Sequence, residues 1–497
     1  MTRIRLLHGA AATAIGGLLA LGLGLGLAPV SVAAQAPAPD TDGAHFGYLA
    51  ARLVDGELEV LDARNADGRF VPASVLKVAT VAAALEHLGP DYRWVTRLTS
   101  RAPMDGPVLV GDLVIEAGAD PTWGQDGEPD APATLARQVR EHGLTRIAGD
   151  LVVDARRFPG RLHPLDRGIG DLAYRYGTPP APLAVDEATI TVRAAPGTSI
   201  GAPARVEAPD GVELLNRTVT VGRDRHGAGT LDFLPLWGTD TLLLRGEYPI
   251  SEPPFVVPAS DPSPARRAAR RLREALAEAG VQVDGAVRVG GAVRMDGDAQ
   301  VGEPPAAASG EATLLAEVRS PPLGSLLSDI LADSHNWYAD TLALTLGLEV
   351  AGSGRFPDGV EVISDFVSGL GEDAAPAPRD DVWLIDGSGL SPANLVAPAA
   401  VVRVLSYAAQ QPWGPALIDA LATPGEGTLR AWPPLPPVAA KTGTLRHTVA
   451  LAGVLDRRSE TPVLFCYFVN HRPGPPAAAR REIAAALRRW STAAARP

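Results

Sequence analysis

The chain has 497 residues, 46% of them hydrophobic, with 52 glycines and 46 prolines, which is enough apolar surface for a large core and too little bias for low-complexity disorder. Its 45 basic and 57 acidic residues leave a net charge of −12, which argues against nucleic acid or an anionic membrane surface as the main partner. A single cysteine, Cys466, excludes an intramolecular disulfide and a cysteine-rich zinc site, and in the run VLFCYFV it reads as a buried strand residue.

Arg3 and Arg5 precede an uncharged run from Gly9 to Pro29 and then Val32-Ala33-Ala34, the order of an export signal cleaved after Ala34. The same run is long enough to span a bilayer, so a retained anchor is the competing reading. Phe46 to Val54 and Glu57 to Leu61 flank Asp55-Gly56, the pattern of a β-hairpin. Pro72 then opens an alanine-rich apolar stretch that stops at Gly89-Pro90, which predicts a buried helix. From about Asp91 to Val289 short β-like runs alternate with Gly, Pro and Asp clusters, which reads as β-rich inserted material and not as a βαβ series. Ala265 to Gly280 is its one clear amphipathic helix, with an arginine face read as solvated. The chain closes with three strand-like runs, PVAAKTGTL, TVALAGVLD and TPVLFCYFVN, and a last helix. A hairpin first and strands last predict one sheet built from both chain ends. The expected division is a signal peptide at 1–34, a core domain at 35–95 and 290–497, and a β-rich insert at 96–289.

Only Lys77 and Lys441 are lysines; every other basic residue is arginine. Neither lysine follows a glycine, which excludes a P-loop. Ser74 and Lys77 stand three apart at the start of the predicted helix, so hydroxyl and amine share a face. A serine attacks a carbonyl only when a base takes its proton, and a lysine serves only if its pKa falls from about 10.4 to about 7–8, worth roughly 4 kcal/mol. Arginine cannot make that change. In Lys441-Thr442-Gly443-Thr444 an ammonium, two hydroxyls and a bare glycine line a predicted edge strand, where an extended peptide can present a carboxylate. Lys441 is also the expected positive charge that depresses the pKa of Lys77. Ser334 and Asn336, two apart in a connection predicted to be extended, are expected to face one cleft, Ser334 relaying a proton to the leaving amine and Asn336 holding Lys77 and the substrate amide. Asp386-Gly387-Ser388-Gly389 reads as a structural turn near that cleft, and Asp120-Pro121-Thr122-Trp123 as a turn of the insert. Singly, each motif has an ordinary alternative: Ser74 as a helix cap, Lys77 on the surface, Ser334 in a turn, Lys441 guarding a strand edge. Jointly and in this order they point to a site.

Ser-x-x-Lys with Ser-Asp-Asn and Lys-Thr-Gly is the signature of penicillin-binding proteins and class A β-lactamases, matched here with His335 in the place of the aspartate. PASVLKVAT, GDLVIEAGADPTW, SPPLGSLLSDILADSHNWYAD, DGSGLSPANLV, GEGTL and AAKTGTL extend the likeness from about Val71 to Asp456. Together they make the chain resemble the exported D-alanyl-D-alanine carboxypeptidase/endopeptidase family of low-molecular-mass (class C) penicillin-binding proteins. The resemblance implies an α/β (α+β) penicillin-binding/β-lactamase-like core, a five-stranded antiparallel sheet flanked by helices and interrupted by the insert. It implies an acyl-enzyme on Ser74 with Lys77 as general base, Ser334 as proton relay, and Lys441, Thr442 and Thr444 on the terminal carboxylate, with Gly443 between them. The oxyanion hole would be the backbone amides of Ser74 and Thr444. The implied partners are peptidoglycan stem peptides and β-lactams, outside the cytoplasm, with no cofactor, no metal and no nucleic acid. The alternatives are a β-lactamase, for which no obvious Glu-x-x-Leu-Asn loop lies between Asn336 and Lys441, and a non-catalytic envelope protein. The chain departs from the family pattern at His335, where an acid is common, at Asp340, where glutamate is common, and at Pro392, where a basic residue is common.

Overall fold

The computed structural model describes residues 43–494 except 125–129, 163, 165, 223–229, 291–310 and 371–380; the expected signal peptide, 1–34, lies outside the described residues. Strands β1 (His45–Val54) and β2 (Glu57–Arg64) form the expected hairpin. They join β3 (Val438–Leu445), β4 (Thr448–Leu455) and β5 (Val463–Asn470) in one antiparallel sheet of order β2-β1-β5-β4-β3. Both chain ends thus build the sheet, as their strand-like runs predict. Every residue of β4 and β5 is buried, Cys466 included, because both faces are covered, and this is why these strands read as continuous apolar runs without alternation.

The helices used below are, in chain order, α1 (Lys77–Leu88), α2 (Ala131–Glu141), α3 (Pro264–Glu278), α4 (Asn336–Glu349), α5 (Phe356–Gly369), α6 (Pro398–Ala409) and α7 (Ala477–Ala494). Alternate sheet residues point to opposite faces. Phe465 and Tyr467 pack with Ile483, Leu487 and Trp490 of α7, while Leu464, Cys466 and Phe468 belong to the core that contains α1, α4, α5 and α6. α1 is buried from Lys77 to Leu85, the central position its all-apolar sequence predicts. Among the described residues, no helix is long and apolar enough to cross a membrane.

The inserted interval corrects the expectation that it lacks βαβ units. Leu113–Glu116 runs through α2 to the parallel strand Leu151–Asp154, which in turn pairs in parallel with Val287–Gly290 after α3. Strands of four residues carry no directional signal, and α2 buries only a narrow stripe, including Leu135, Ala136 and Val139, under a polar face. Two further three-stranded sheets lie between residues 189 and 260. The expected limits of the insert, 96 and 289, fall inside Val95–Ser100 and Val287–Gly290, and Val95–Ser100 pairs antiparallel with Thr313–Arg319. The arginine face of α3 is also corrected: Arg266 and Arg270 pair with Asp240, Arg267 with Asp186 and Asp261, and Arg271 with Asp130, so the face staples the helix to surrounding loops.

Candidate active site

A 3-10 turn, Ala73–Leu76, delivers Ser74 to the start of α1, and no side chain caps either element, so Ser74 is not a helix cap. Ala73 before it is buried with φ of 45°, in the left-handed region that L residues rarely occupy. Two glycines hold this turn by close approach: a β-carbon on Gly389 would lie 2.0 Å from the Ala73 carbonyl oxygen, and Gly389 itself has φ of 78°. Gly443 approaches the same turn from β3.

Lys77, one helical turn beyond Ser74, is fully buried. Its Nζ lies 3.0 Å from Ser74 Oγ, 2.7 Å from Asn336 Oδ1 and 2.6 Å from the Ser388 carbonyl oxygen. Asn336 Nδ2 donates to the Tyr176 carbonyl at 2.7 Å, which fixes the amide so that Oδ1 faces the amine. Neither Asn336 Oδ1 nor a carbonyl can donate. A neutral amine therefore spends its two N–H groups on them and turns its lone pair to the Ser74 hydroxyl. Burial lowers the Lys77 pKa to about 7; Asp340 and Asp386 oppose the shift and Arg167 adds to it. The expectation that Lys441 supplies this depressing charge is corrected: burial and Arg167 act on Lys77, whereas burial and Lys77 hold Lys441 well below the ordinary lysine range.

Beneath Lys77 lies a buried network absent from the sequence-based expectations. Arg167, from the inserted interval, places Nη2 within hydrogen-bonding distance of three oxygens, Asp340 Oδ2 (2.5 Å), Asp386 Oδ2 (2.9 Å) and Ser388 Oγ (2.8 Å), which share its two protons. Asp386 Oδ1 accepts from Gly389 N at 2.7 Å, and Thr80 Oγ1 of α1 donates to the Gly387 carbonyl at 2.6 Å. The Asp386–Gly389 segment is thus a locked turn whose Ser388 carbonyl addresses Lys77. Burial raises the Asp340 pKa against the pull of Arg167. For Asp386 the burial effect is outweighed by Arg167 and by bonds from Ser391 N and Asn394, and its pKa falls.

The Ser334-His335-Asn336 connection is not extended. Ser334 has φ of 69°, His335 is the N-cap of α4, accepting from Tyr338 N, and Asn336 is the first helical residue. The sequence reading missed the left-handed residue because no glycine marks it. Ser334 is half-buried and its hydroxyl has no hydrogen bond among the described residues. His335 Nε2 meets Glu187 Oε2 at 3.0 Å and Arg175 Nη2 at 3.3 Å, so the insert packs on this connection.

On β3, Lys441 is fully buried, with Nζ 2.9 Å from the Thr442 carbonyl oxygen. Thr442 Oγ1 donates to Thr428 Oγ1 at 2.7 Å, and Thr428 passes the chain on to the Ala332 carbonyl at 3.1 Å. Thr444 is exposed. Thr442 therefore spends its proton inward, and Thr444 carries the exposed hydroxyl of the pair. Asp120 Oδ1 accepts from Thr122 N and Oγ1, a turn of the insert as expected.

A D-alanyl-D-alanine carboxypeptidase of Actinomadura sp. (strain R39) is 31% identical over 470 residues, covering 90% of this chain and 82% of that protein. The D-alanyl-D-alanine carboxypeptidase DacB of Haemophilus influenzae is 25% identical over 448 residues, 86% of each chain. The crystal structure of penicillin binding protein 4 (dacB) from Haemophilus influenzae superposes with a TM-score of 0.77 at 23% identity, over 90% of this chain and 97% of that one, and so shares the fold. Residues 29–494 match the D-Ala-D-Ala carboxypeptidase 3 (S13) family. The chain belongs to that family, and its enzyme class is that of a serine-type D-Ala-D-Ala carboxypeptidase.

Proposed function

We propose that the chain cleaves the D-Ala-D-Ala bond of peptidoglycan stem peptides through an acyl-enzyme on Ser74. The carrying observation is the 3.0 Å separation of Ser74 Oγ and Lys77 Nζ, with the two N–H groups of a neutral amine already engaged. Lys77 takes the Ser74 proton as Oγ bonds to the carbonyl carbon. The oxyanion is received by the backbone amides of Ser74 and Thr444, a preorganised pair that favours charge only as it develops. The proton passes through Ser334 to the departing D-alanine as the amide bond breaks, and water then hydrolyses the ester. Asn336 holds Lys77 and the substrate amide. The Lys441-Thr442-Gly443-Thr444 stretch takes the terminal carboxylate, with Thr444 as the available hydroxyl donor, Thr442 holding its proton on Thr428, and Gly443 keeping the strand open. β-Lactams present the same carbonyl and carboxylate and trap Ser74.

The reading includes export by the segment 1–34, action outside the cytoplasm, and a core of 35–95 and 290–497 carrying the insert 96–289. Endopeptidase action on cross-linked stems uses the same acylation chemistry. The test is labelling with a fluorescent penicillin alongside D-alanine release from a D-Ala-D-Ala peptide. Ser74→Ala is expected to lose both, and Lys77→Arg nearly so although charge is kept; normal labelling of either variant rejects the assignment. An adduct that persists for hours marks a peptidase, whereas loss within seconds marks the β-lactamase alternative.

A further inference from the structure

We propose that Arg167, contributed by the inserted interval, is a positioning residue for acylation: it fixes the Asp386–Gly389 turn whose Ser388 carbonyl holds Lys77 against Ser74. The inference rests on the assignment of Ser74 and Lys77 made above. The Arg167, Asp340 and Asp386 side chains are all fully buried, so their charges are compensated inside the protein, by one another and by backbone amides. Arg167 binds one side of each carboxylate, and the turn binds the other. Asp340 Oδ2 takes Arg167 Nη2 at 2.5 Å while its Oδ1 accepts from Gly387 N at 3.2 Å and Ser388 N at 3.0 Å. Asp386 Oδ2 takes Nη2 at 2.9 Å and Nε at 3.1 Å while its Oδ1 accepts from Gly389 N at 2.7 Å. Nη2 also lies 2.8 Å from Ser388 Oγ, sharing its two protons among three acceptors, and so contacts the residue whose carbonyl lies 2.6 Å from Lys77 Nζ. Each carboxylate is therefore a strut between the guanidinium and the backbone that addresses the amine.

The arrangement also sets the charge around the amine. Lys77 faces Asp340 from α4, Asp386 from the turn and Arg167 from the insert, and it couples to Lys441 on β3. With Arg167 present, one guanidinium offsets part of two carboxylates. Without it both carboxylates act on Lys77 and keep it protonated to higher pH. An insert that supplies this cation makes acylation depend on the insert being docked, which a core-only enzyme would not require.

The experiment follows penicillin acylation of the full chain from pH 5 to 10, with thermal unfolding of the same samples, for the wild type, Arg167→Met, Arg167→Lys and Ser388→Ala. Arg167→Met is expected to slow acylation at pH 7 by about tenfold or more and to move the acidic limb of the profile to higher pH. Arg167→Lys keeps the charge but not the forked geometry, so the limb is expected to stay in place while the rate falls. Ser388→Ala, which removes one grip and leaves the buried charges paired, is expected to fall between wild type and Arg167→Met. A folded Arg167→Met with the wild-type rate and limb overturns the inference, since a residue serving stability alone lowers the melting temperature without moving the profile. If Arg167→Met does not fold, an unchanged rate in Arg167→Lys overturns it. A wild type that takes no penicillin overturns the Ser74 assignment and this inference with it, whereas a labelled wild type with unaffected variants overturns this inference alone.

Discussion

A β-carbon on Gly443 would lie 2.8 Å from the Pro72 carbonyl oxygen and 3.0 Å from Ala73 Cβ, so strand β3 rests directly on the turn that presents Ser74. Gly443→Val suits a strand, but its methyls must push that turn away from Lys441. Acylation is expected to fall about a hundredfold, the usual cost of an ångström of misplacement, while circular dichroism shows the fold retained. Near-normal labelling by a fluorescent penicillin would show that the contact is slack.

The buried amine makes two pH-dependent predictions. With the Lys77 pKa near 7, the acylation rate falls about tenfold per pH unit on the acidic side of that value. For stability, the folded pKa lies below the ordinary value of 10.5, so between about 7 and 10.5 the unfolded chain binds the extra proton and stability rises with pH. Lys77→Met removes this rise, which at 1.36 kcal/mol per unit is on the order of 4 kcal/mol between pH 7 and 10. Urea unfolding of both proteins at the two pH values measures it; parallel stability curves would mean that the amine is hydrated.

The positions of Ser74, Lys77 and Lys441 are legible in the sequence because each motif is local, one helical turn or one strand long, and because lysine stands out in a chain that otherwise uses arginine. The five-stranded sheet is legible because both faces of β4 and β5 are covered and their sequences are continuously apolar. Arg167 is one of 43 arginines, and nothing local distinguishes it. Tyr176 acts through its carbonyl oxygen, a group every residue carries. Thr428 meets Thr442 only after the chain has turned back on itself. Long-range pairing of common groups leaves no periodic trace, and the parallel crossover between Leu113–Glu116 and Leu151–Asp154 is hidden for the same reason.

Glu187 joins the insert to the Ser334-His335-Asn336 connection. Burial would raise its pKa, but bonds from His335 and Arg175 win and lower it to about 2. The contribution is fully present above the ordinary value near 4.5 and is lost as the pH falls through about 2. Arg175 is 53% exposed, so solvent screening holds the pair to about 1 kcal/mol or less. Glu187→Gln is expected to lose that much at pH 7 in urea unfolding, and the difference from wild type is expected to shrink towards pH 2. A constant difference would assign the effect to packing.

The backbone at Ser334 separates hydroxyl chemistry from strain. With φ of 69°, a β-carbon there is disfavoured and glycine is not. Ser334→Gly is expected to be more stable than Ser334→Ala by about 1 kcal/mol, while both release D-alanine from peptide far more slowly than wild type. Equal stability of the two variants would show that the connection relaxes, and retained turnover in either would remove Ser334 from the proton path.

Thr428 links two parts of the site that meet nowhere in sequence. Its amide and its hydroxyl both donate to the Ala332 carbonyl, at 3.0 and 3.1 Å, and its oxygen accepts from Thr442 at 2.7 Å. A β-carbon on Gly427 would lie 2.4 Å from that same Ala332 oxygen, so the segment is seated against the approach to Ser334. Thr428→Val keeps the shape and the amide bond to Ala332 but removes the hydroxyl donor to Ala332 and the acceptor for Thr442, a loss of about 1–2 kcal/mol of stability. Thr442 then has its proton free. If its inward bond is what leaves carboxylate recognition to Thr444, Thr428→Val softens the effect of Thr444→Val on KM, and the double variant binds better than the two single effects predict. Thr428→Ser, which retains both bonds, is expected to behave as wild type. Strict additivity of Thr428→Val and Thr444→Val in KM would mean that Thr442 does not reach the substrate even when released, and that the two threonines of β3 are functionally separate.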